Sequence, residues 1–599
     1  MLSKWKRFSR FTRIRIHQSI RWISDHISQR NYQIIVSIII GIAAGLAAVV
    51  LKYAVQLVRD WMQGNDPTQG RIGFVFFPLL GIILTVLYLR YILRKKLDIG
   101  FPGLIFSIAQ KKVNLPRREI YAHTVSSSLT VGLGGSVGLE APIVRSGAAI
   151  GSNLASLLQV SRKKQTLFLI CGATAGMAAI FNSPVAAVIF AFEVLLTDIA
   201  LPSFIPLLIS AATGAVVARF FYYEQLFYLP TQGWSLETIP FFILLGILCG
   251  LYSTYMIRSL LFINRFFFSI KTQWVRLLLG GLTLGALIFL LPPLFGEGYT
   301  TINQLLTGQY SAITENSLFY DYTEYRSLLL IFGLLVILAK AIATSLTLAM
   351  GGNGGFFAPS MFSGATLGFV FAMAINQLGL VELPIADFIA VAMAGILSGV
   401  IKSPLTGIFL IAEITGGYLL FVPLMIVSAI SYFVTFYFEP QSLFTKELYQ
   451  KGLWVPSHEK DKQILKDLKL EQLIERNFST VHPKQTLGEF VNIIAHSSRN
   501  LFPVVDGDGS LLGIILLDDV REIMFQPEKY EEVYIQDLMH LPPAILQYDN
   551  SMEEVMDKFE LHQAWNLPVV RDGKYQGFVS KSNILGRYRR SLQDRNIGF

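Results

Sequence analysis

Charged side chains are scarce in this 599-residue chain, and residues that bind metals are scarcer still. Asp, Glu, Lys and Arg together make up 15% of the sequence, against roughly 25% in soluble domains, which argues against an ordinary soluble protein. The two cysteines, Cys171 and Cys249, lie inside apolar runs. Neither a disulfide framework nor a thiolate metal site is therefore expected.

Histidine is also rare, and its placement argues against metal chemistry. Of the eight histidines only His123 lies near the long apolar runs, and the H-E-x-x-H motif is missing. Metal sites need clustered His, Cys or carboxylate ligands. We therefore expect no metal site and no enzyme, and we disfavour both an intramembrane metalloprotease and a divalent-cation transporter.

The sequence is rich in long apolar segments. Hydrophobic residues make up 53% of the chain, and segments of about 20 apolar residues can cross a bilayer. The clear spans are 33–58, 72–92, 203–222, 239–268, 275–292, 327–350 and 418–438. Apolar stretches interrupted by Gly and Pro lie between them, at 98–109, 124–158, 166–197, 354–376 and 384–415. Irregular backbone at membrane depth must be buried in protein or line a polar cavity, so these broken stretches indicate a site.

The first 30 residues are basic, with eight Lys or Arg and a single acid, and apolar residues are interleaved among the charges. This pattern predicts an amphipathic helix over 1–30 on the anionic inner leaflet. Nucleic-acid binding is disfavoured, because the apolar residues would then lack a partner. A cleaved signal peptide is also disfavoured, since the first long apolar run begins near Ile34. We expect a multi-pass protein of the cell (inner) membrane with both termini in the cytoplasm.

The chain contains an internal duplication. Residues 134–142 read GGSVGLEAP and residues 351–359 read GGNGGFFAP, and we call these two segments the glycine frames. Each frame is followed by a second shared pattern, at 175–193 and 394–413, with A-G, then S-P, then a glutamate nine residues past the proline. Many transporters build a site at the bilayer midplane where two such halves meet at broken helices.

The glycine frames predict a cradle of backbone amides. A helix N-terminus presents unpaired N–H groups and attracts anions, glycines let the backbone turn and approach a ligand, and a proline near the helix start needs no N–H. Close helix packing through glycines is the alternative. At the seventh position the first frame has Glu140 and the second has Phe357.

Three glutamates lie in the apolar region, where each costs roughly 3 kcal/mol to insert. Glu193 and Glu413 occupy matching places in the duplicate, which leaves helix packing and a subunit interface both open as their role. Glu140 has no counterpart. Its carboxylate can occupy the cradle when ionised and leave it when protonated or displaced by an anion, so Glu140 is a candidate gate; alternatively it only caps its own helix.

Three segments, GGSVGLEAPIV at 134–144, KAIATSLTLAMGGNGGFFAPSMF at 340–362 and KSPLTGIFLIAEIT at 402–415, resemble the signature motifs of the CLC family of chloride channels and proton-coupled chloride exchangers. The resemblance covers about residues 31–450. It implies a transmembrane domain of two inverted repeats built from broken helices, and a homodimer with one pore per subunit.

The resemblance also implies roles for individual residues. The family's gating motif G-x-E-G-P reads GLEAP here, so the gate falls on Glu140, with Ala141 in place of a glycine and Gly138 and Leu139 before it. The family's G-x-F-x-P motif reads GFFAP, which nominates the backbone amides of Phe356 and Phe357 for the central anion site.

Three positions depart from the family pattern. The serine motif reads DIGFP, so Ile99, followed by Gly100, stands where a hydroxyl would contact the anion. The pore tyrosine falls on Phe444, and Tyr449, five residues later, is the alternative. Each missing neutral hydrogen bond is worth roughly 1 kcal/mol. The inner glutamate that relays protons in exchangers is Val194, which cannot carry a proton.

A soluble region follows the apolar domain. After a charged linker at 451–477, a strand, turn, strand and helix start occur twice, and the two copies resemble paired CBS domains, at 478–528 and 534–590. The family's nucleotide motif matches Gly577, Ser580 and Asn583 in the second copy only. We expect no required cofactor; the motif predicts an adenine nucleotide such as ATP or AMP as a ligand, and a structural dimerisation module is the alternative.

These features together predict chloride permeation that is channel-like or weakly proton-coupled, gated by Glu140 and modulated by the CBS pair. The nearest alternative is a proton-coupled chloride exchanger. A fluoride-selective relative is a third reading, which the retained Pro142 and the CBS pair disfavour.

Overall fold

The structure is a computed structural model, and it describes residues 28–63, 70–94, 100–110, 113–195, 204–222, 226–231, 233–320, 326–379, 381–450, 465 and 468–596. Ile99 and nearly all of the basic segment predicted over 1–30 lie outside the described residues, as does most of the linker. The chain divides into two compact units, Met1–Trp454 and Val455–Phe599.

The first unit is built from helices. In chain order they are α1 (Gln29–Gln63), α2 (Gly70–Leu87), α3 (Phe101–Ala109), α4 (Glu119–Gly132), α5 (Glu140–Leu157), α6 (Arg162–Phe181), α7 (Pro184–Phe190), α8 (Phe204–Phe221), α9 (Ile239–Ser269), α10 (Gln273–Leu290), α11 (Tyr299–Leu306), α12 (Arg326–Ala349), α13 (Phe357–Gln377), α14 (Ile385–Ile401), α15 (Pro404–Thr415), α16 (Phe421–Phe438) and α17 (Lys446–Gln450). Among the described residues, nine helices are long and apolar enough to cross a membrane.

The duplicated S-P motifs break the chain in the same way in both halves. Helix α6 ends at Asn182 and α14 at Lys402, and both residues adopt the left-handed conformation, with φ of 55° and 63°. Pro184 and Pro404 then start α7 and α15, where a missing N–H costs nothing. These are the broken helices that the Gly and Pro pattern predicted.

Small residues let the helices around the first glycine frame pack closely. A Cβ built on Gly172 of α6 would lie 2.0 Å from the carbonyl oxygen of Gly147 of α5, and one on Gly147 would lie 2.2 Å from the carbonyl oxygen of Gly172. Only glycine allows this approach, which fixes the start of α5 inside the protein.

The second unit is an α/β pair of modules. Its elements are α18 (Leu487–His496), β1 (Leu501–Val505), β2 (Leu511–Leu516), α19 (Leu517–Val520), α20 (Ile535–Leu538), β3 (Leu546–Gln547), α21 (Met552–Leu561), β4 (Asn566–Arg571), β5 (Lys574–Ser580) and α22 (Lys581–Asn596). Strands β1 and β2 pair antiparallel, as do β4 and β5, while β3 runs parallel to β4. Capping boxes start α18 and α21, from Thr486 to Glu489 and from Ser551 to Glu554.

Candidate functional site

The two glycine frames pair with each other. The N–H of Gly138 donates to the carbonyl of Gly355 at 3.0 Å, and the N–H of Gly355 donates to the carbonyl of Gly138 at 2.8 Å. These glycines hold the same position in the two frames, and α5 and α13 each begin two residues later, at Glu140 and Phe357. The pairing therefore brings two helix N-termini, one from each half, to a single place.

A second pair of hydrogen bonds joins the two halves in the same reciprocal way. The N–H of Ser136 donates to Oγ1 of Thr347 at 3.3 Å, and the N–H of Asn353 donates to Oγ1 of Thr130 at 3.1 Å. Ser136 and Asn353 both hold the third position of their frame, and each bonds the helix that precedes the other frame. The first glycine of each frame has a positive φ, 96° and 104°, a conformation that favours glycine.

The Glu140 side chain lies inside the paired frames. Its Oε1 accepts a hydrogen bond from the Phe357 N–H at 2.6 Å, while its Oε2 is buried without a hydrogen-bond partner. A Cβ on Gly355 would lie 2.1 Å from Oε1, and one on Gly138 would lie 2.0 Å from Oε2. The two glycines thus leave just enough room for a carboxylate, which takes the place that an anion would take at the start of α13.

Packed phenyl rings surround the Phe357 end of this site. The Phe357 ring lies 5.9 Å from that of Phe101, 5.6 Å from that of Phe190 and 6.2 Å from that of Phe181. The Phe101 ring also lies 4.7 Å from that of Phe444. Phe101 therefore lies between Phe357 and Phe444, the aromatic residue at the pore-tyrosine position.

The predicted residues that the structure brings together are Gly138, Leu139, Glu140, Ala141, Phe356, Phe357 and, at the edge of the aromatic cluster, Gly100 and Phe444. Sequence reasoning missed the rings of Phe101, Phe181 and Phe190, because a phenylalanine inside an apolar run gives no sign of whether it faces a site or lipid.

The position of the missing inner glutamate lies in the one-turn π-helical segment that follows α7. Val194 is half-buried there. Its neighbour Glu193 points to α15, where its Oε2 accepts from the N–H of Thr406 at 2.8 Å and from Oγ1 of Thr406 at 2.7 Å. Neither side chain provides a free carboxylate at the coupling position.

Glu413 makes the reciprocal contact. Its carboxylate accepts from the N–H groups of Val185 and Ala186 at 3.1 and 2.9 Å, and from the hydroxyl of Ser183. Each matched glutamate therefore caps the broken helix of the opposite half, which gives both a helix-packing role.

Glu297 is a further acid beside the site that sequence reasoning missed. It lies in the loop between α10 and α11 and is 9% exposed, and this loop bonds the first glycine frame, because the N–H of Gly296 donates to the carbonyl of Gly134 at 3.1 Å. The ammonium of Lys340, fully buried in α12, donates to the carbonyls of Leu294 and Gly296 in the same loop at 3.3 and 3.0 Å. The signal in the sequence was a lone acid between two glycines, in GEGY, beside an apolar span.

The three predicted nucleotide residues lie together in the second unit, but the chain itself covers them. Oγ of Ser580 donates to Oε1 of Glu475 at 2.8 Å, and Nδ2 of Asn583 donates to the carbonyl of Leu473 at 3.1 Å. A Cβ on Gly577 would lie 2.5 Å from the carbonyl oxygen of Glu475. A nucleotide would have to displace this segment.

The fold and site define a class: a polytopic membrane protein whose duplicated halves bring two helix N-termini together, where the carboxylate of Glu140 accepts a backbone N–H. Residues 80–435 match a family model described as voltage gated chloride channel, and residues 470–526 and 535–590 match that of the CBS domain. The first match spans more than half of the chain, and the chain belongs to this family, the CLC family. The predicted CLC fold with a paired CBS region is confirmed.

Relatives and solved structures agree with this assignment. A putative chloride channel protein ClcB-like of Ralstonia nicotianae is 28% identical over 415 residues, which cover 66% of this chain and 91% of the relative. Chloride channel protein CLC-f of Arabidopsis thaliana is 26% identical over 561 residues, or 82% and 69%. The crystal structure of a slow cyanobacterial Cl⁻/H⁺ antiporter matches with a TM-score of 0.60 at 20% identity, over 71% of this chain and 99% of that one, a likeness of fold.

Proposed function

We propose that this chain carries chloride across the membrane through the paired glycine frames, with Glu140 as the gate. One observation carries the proposal: Oε1 of Glu140 accepts the N–H of Phe357, the first residue of α13. A chloride ion bound at that helix start would need the same donor. The ionised carboxylate and the anion are therefore competitors for one place.

Protonation removes the basis of this competition. A neutral carboxyl gains little from the partial positive charge of a helix N-terminus, and its second oxygen has no hydrogen-bond partner to hold it. Acid should therefore release the side chain and admit chloride. Ionised Glu140 closes the path, and protonated Glu140 opens it.

The transport is channel-like or weakly coupled to protons. Val194 and the helix-capping Glu193 leave no free acid at the position where exchangers of the family relay protons from the cytosol. A proton-coupled exchanger is the second candidate, because Glu140 can itself carry a proton between two states, and one protein of similar fold is a slow cyanobacterial Cl⁻/H⁺ antiporter. Fluoride selectivity is a third, less favoured candidate.

Paired flux measurements test this assignment. Purified protein in liposomes should pass chloride down its gradient without moving protons uphill, as recorded by a chloride electrode and a pH electrode together. Proton uptake against its gradient, driven by chloride, would establish the exchanger instead. Replacing chloride by fluoride in the same assay tests the third candidate.

The Glu140→Gln variant tests the gate. Because glutamine cannot ionise, it should not compete with chloride as a charged group, and chloride flux should lose most of its dependence on pH between about 4 and 8. Glu193→Gln is the control at an intramembrane glutamate outside the site, and its flux should keep the native pH response. A Glu140→Gln variant that keeps that response would show that the gate lies elsewhere.

We also propose a homodimer in the cell (inner) membrane with both termini in the cytoplasm, as the family resemblance and the basic segment over 1–30 suggest. Cysteine labelling from either side of the membrane tests the orientation. Cys171 and Cys249 are both fully buried, so they should leave an engineered surface cysteine as the main reactive thiol. Labelling of a terminal cysteine from outside the cell would show that the termini lie on the outer side, which contradicts the proposed orientation.

A further inference from the structure

A second buried carboxylate lies in a loop that contacts the first glycine frame. Glu297 precedes Gly298, which caps α11 with a φ of 87°, and it follows Gly296, whose N–H donates to the carbonyl of Gly134 at 3.1 Å. The first glycine frame is therefore bonded to a loop that carries an acid, and the proposed gating step does not use that acid.

Glu297 also lines an open cavity. A cavity of about 220 Å³ is bordered by Glu297 and Arg59, and a neighbouring one of about 490 Å³ is bordered by Lys52. The two cavities share Tyr299, Thr300 and Gln304. Water can thus reach Glu297 from outside the helix bundle, whereas Oε2 of Glu140 is fully enclosed.

The position of Arg59 on α1 indicates which side of the membrane this cavity faces. Helix α1 begins at Gln29, so Arg59 lies 30 residues along it, about 45 Å at 1.5 Å per residue. The hydrocarbon core is only about 30 Å thick. The cavity therefore faces the side opposite the one from which the N-terminus enters.

The charged groups that face Glu297 come from several elements. They are Arg59 and Lys52 on α1, Lys340 on α12 and, across the frame, Glu140 on α5; Tyr299 of α11 faces both carboxylates. The three cations favour the ionised form of Glu297, and an ionised Glu297 disfavours the ionisation of Glu140. Removing the charge of Glu297 therefore removes a repulsion that acts on ionised Glu140.

We propose that Glu297 is a positioning residue for the gate: it forms an acid pair with Glu140, receives protons from the cavity water, and sets the pH at which Glu140 leaves the amide cradle. In the transfer, protonated Glu297 becomes a carboxylate and ionised Glu140 becomes a carboxyl, so one proton moves and no other species is consumed. The inference rests on the proposed gating by Glu140.

Two variants test the pair in the full-length protein. Chloride flux from liposomes is recorded against the pH of the solution that bathes the cavity. Glu297→Gln removes the opposing charge, so Glu140 stays ionised to lower pH, and the midpoint of the flux curve should move about one pH unit toward acid. Arg59→Gln removes a cation that favours ionised Glu297, so Glu297 stays neutral to higher pH and repels Glu140 less, and the midpoint should move in the same direction by a smaller amount.

Matched controls separate this role from a structural one. Glu315 lines the same cavity, and Glu315→Gln should keep the native midpoint. Glu297→Asp, which retains the charge, should restore it. In a Glu140→Gln background, Glu297→Gln should change nothing further.

The outcomes distinguish the two proposals. A pH response that survives in Glu140→Gln overturns the gate itself. If Glu140→Gln loses the response while Glu297→Gln and Arg59→Gln both keep the native midpoint, the acid pair is overturned and the gate stands. A Glu297→Gln effect of equal size in the Glu140→Gln background also overturns the pair, because Glu297 would then act on chloride directly.

Discussion

At the scale of single residues, the proposed anion site has backbone amides, and an aromatic ring without a hydroxyl lies at the position that the family motif gives to a tyrosine. Phe444, at the pore-tyrosine position, is 3% exposed and packs against Phe101 in the aromatic cluster. A phenyl ring presents a weakly positive edge but no hydrogen-bond donor. The site should therefore bind chloride weakly, which suits rapid passage more than tight occupancy.

Restoring the hydroxyl tests whether Phe444 lies on the path. Phe444→Tyr adds one neutral donor, worth about 1 kcal/mol, so chloride should bind roughly fivefold tighter in calorimetry on the detergent-purified protein. Phe433→Tyr, at a ring that is 68% exposed on α16, is the matched control and should change nothing. Equal affinity in both variants and the parent would place Phe444 off the path.

At the scale of helices, the reciprocal caps stabilise the broken segments. Helices α7 and α15 begin at the surface of the membrane unit, where Val185 is 39% and Leu405 50% exposed, and their first N–H groups have no acceptor within their own helix. Glu413 supplies acceptors to α7 and Glu193 to α15. Each half therefore depends on a carboxylate of the other, which ties the two halves of the duplicate together.

Removing either cap should destabilise the membrane unit. Glu413→Ala leaves the N–H groups of Val185 and Ala186 without their charged acceptor, at about 1.5 to 3 kcal/mol for each lost bond. The apparent Tm in detergent should fall, and Glu193→Ala should lower it by a similar amount. The exposed Glu237 offers the control, since Glu237→Ala should leave Tm unchanged; an equal Tm in all three variants would contradict the capping role.

The sequence predicted the broken helices better than it predicted their partners. Gly and Pro mark a break locally, so the frames and the S-P motifs were visible without a structure. The partner of Glu193 lies more than 200 residues along the chain, and only the threading of the whole chain brings the two together. Glu297 was missed for the same reason, because it stands outside both repeats and meets the frame only through the fold.

At the scale of the whole molecule, the second unit has its own cores and its own predicted nucleotide motif. Phe490 and Phe502 are buried in the first module, and Val555 and Val569 in the second. Glu475 occupies the predicted nucleotide site, where it accepts from Ser580 and forms an ion pair with Arg499 at 2.9 Å. Adenine-nucleotide binding stays a prediction, and Glu475 is the group that a nucleotide would have to displace.

If a nucleotide competes with Glu475 for this site, removal of Glu475 should raise the affinity for the nucleotide. Glu475→Ala frees the Ser580 hydroxyl and Arg499 and removes a negative charge that repels phosphate, so ATP or AMP should bind about tenfold tighter than to the parent chain, the equivalent of one lost hydrogen bond to a charged group. Ser580→Ala in the Glu475→Ala background should reverse the gain, and Glu531→Ala, at an exposed carboxylate, should have no effect. Calorimetry on the full chain measures all four proteins. If Glu475→Ala binds neither nucleotide, the second unit is a structural module, and the contact of Glu475 with Ser580 serves its stability alone.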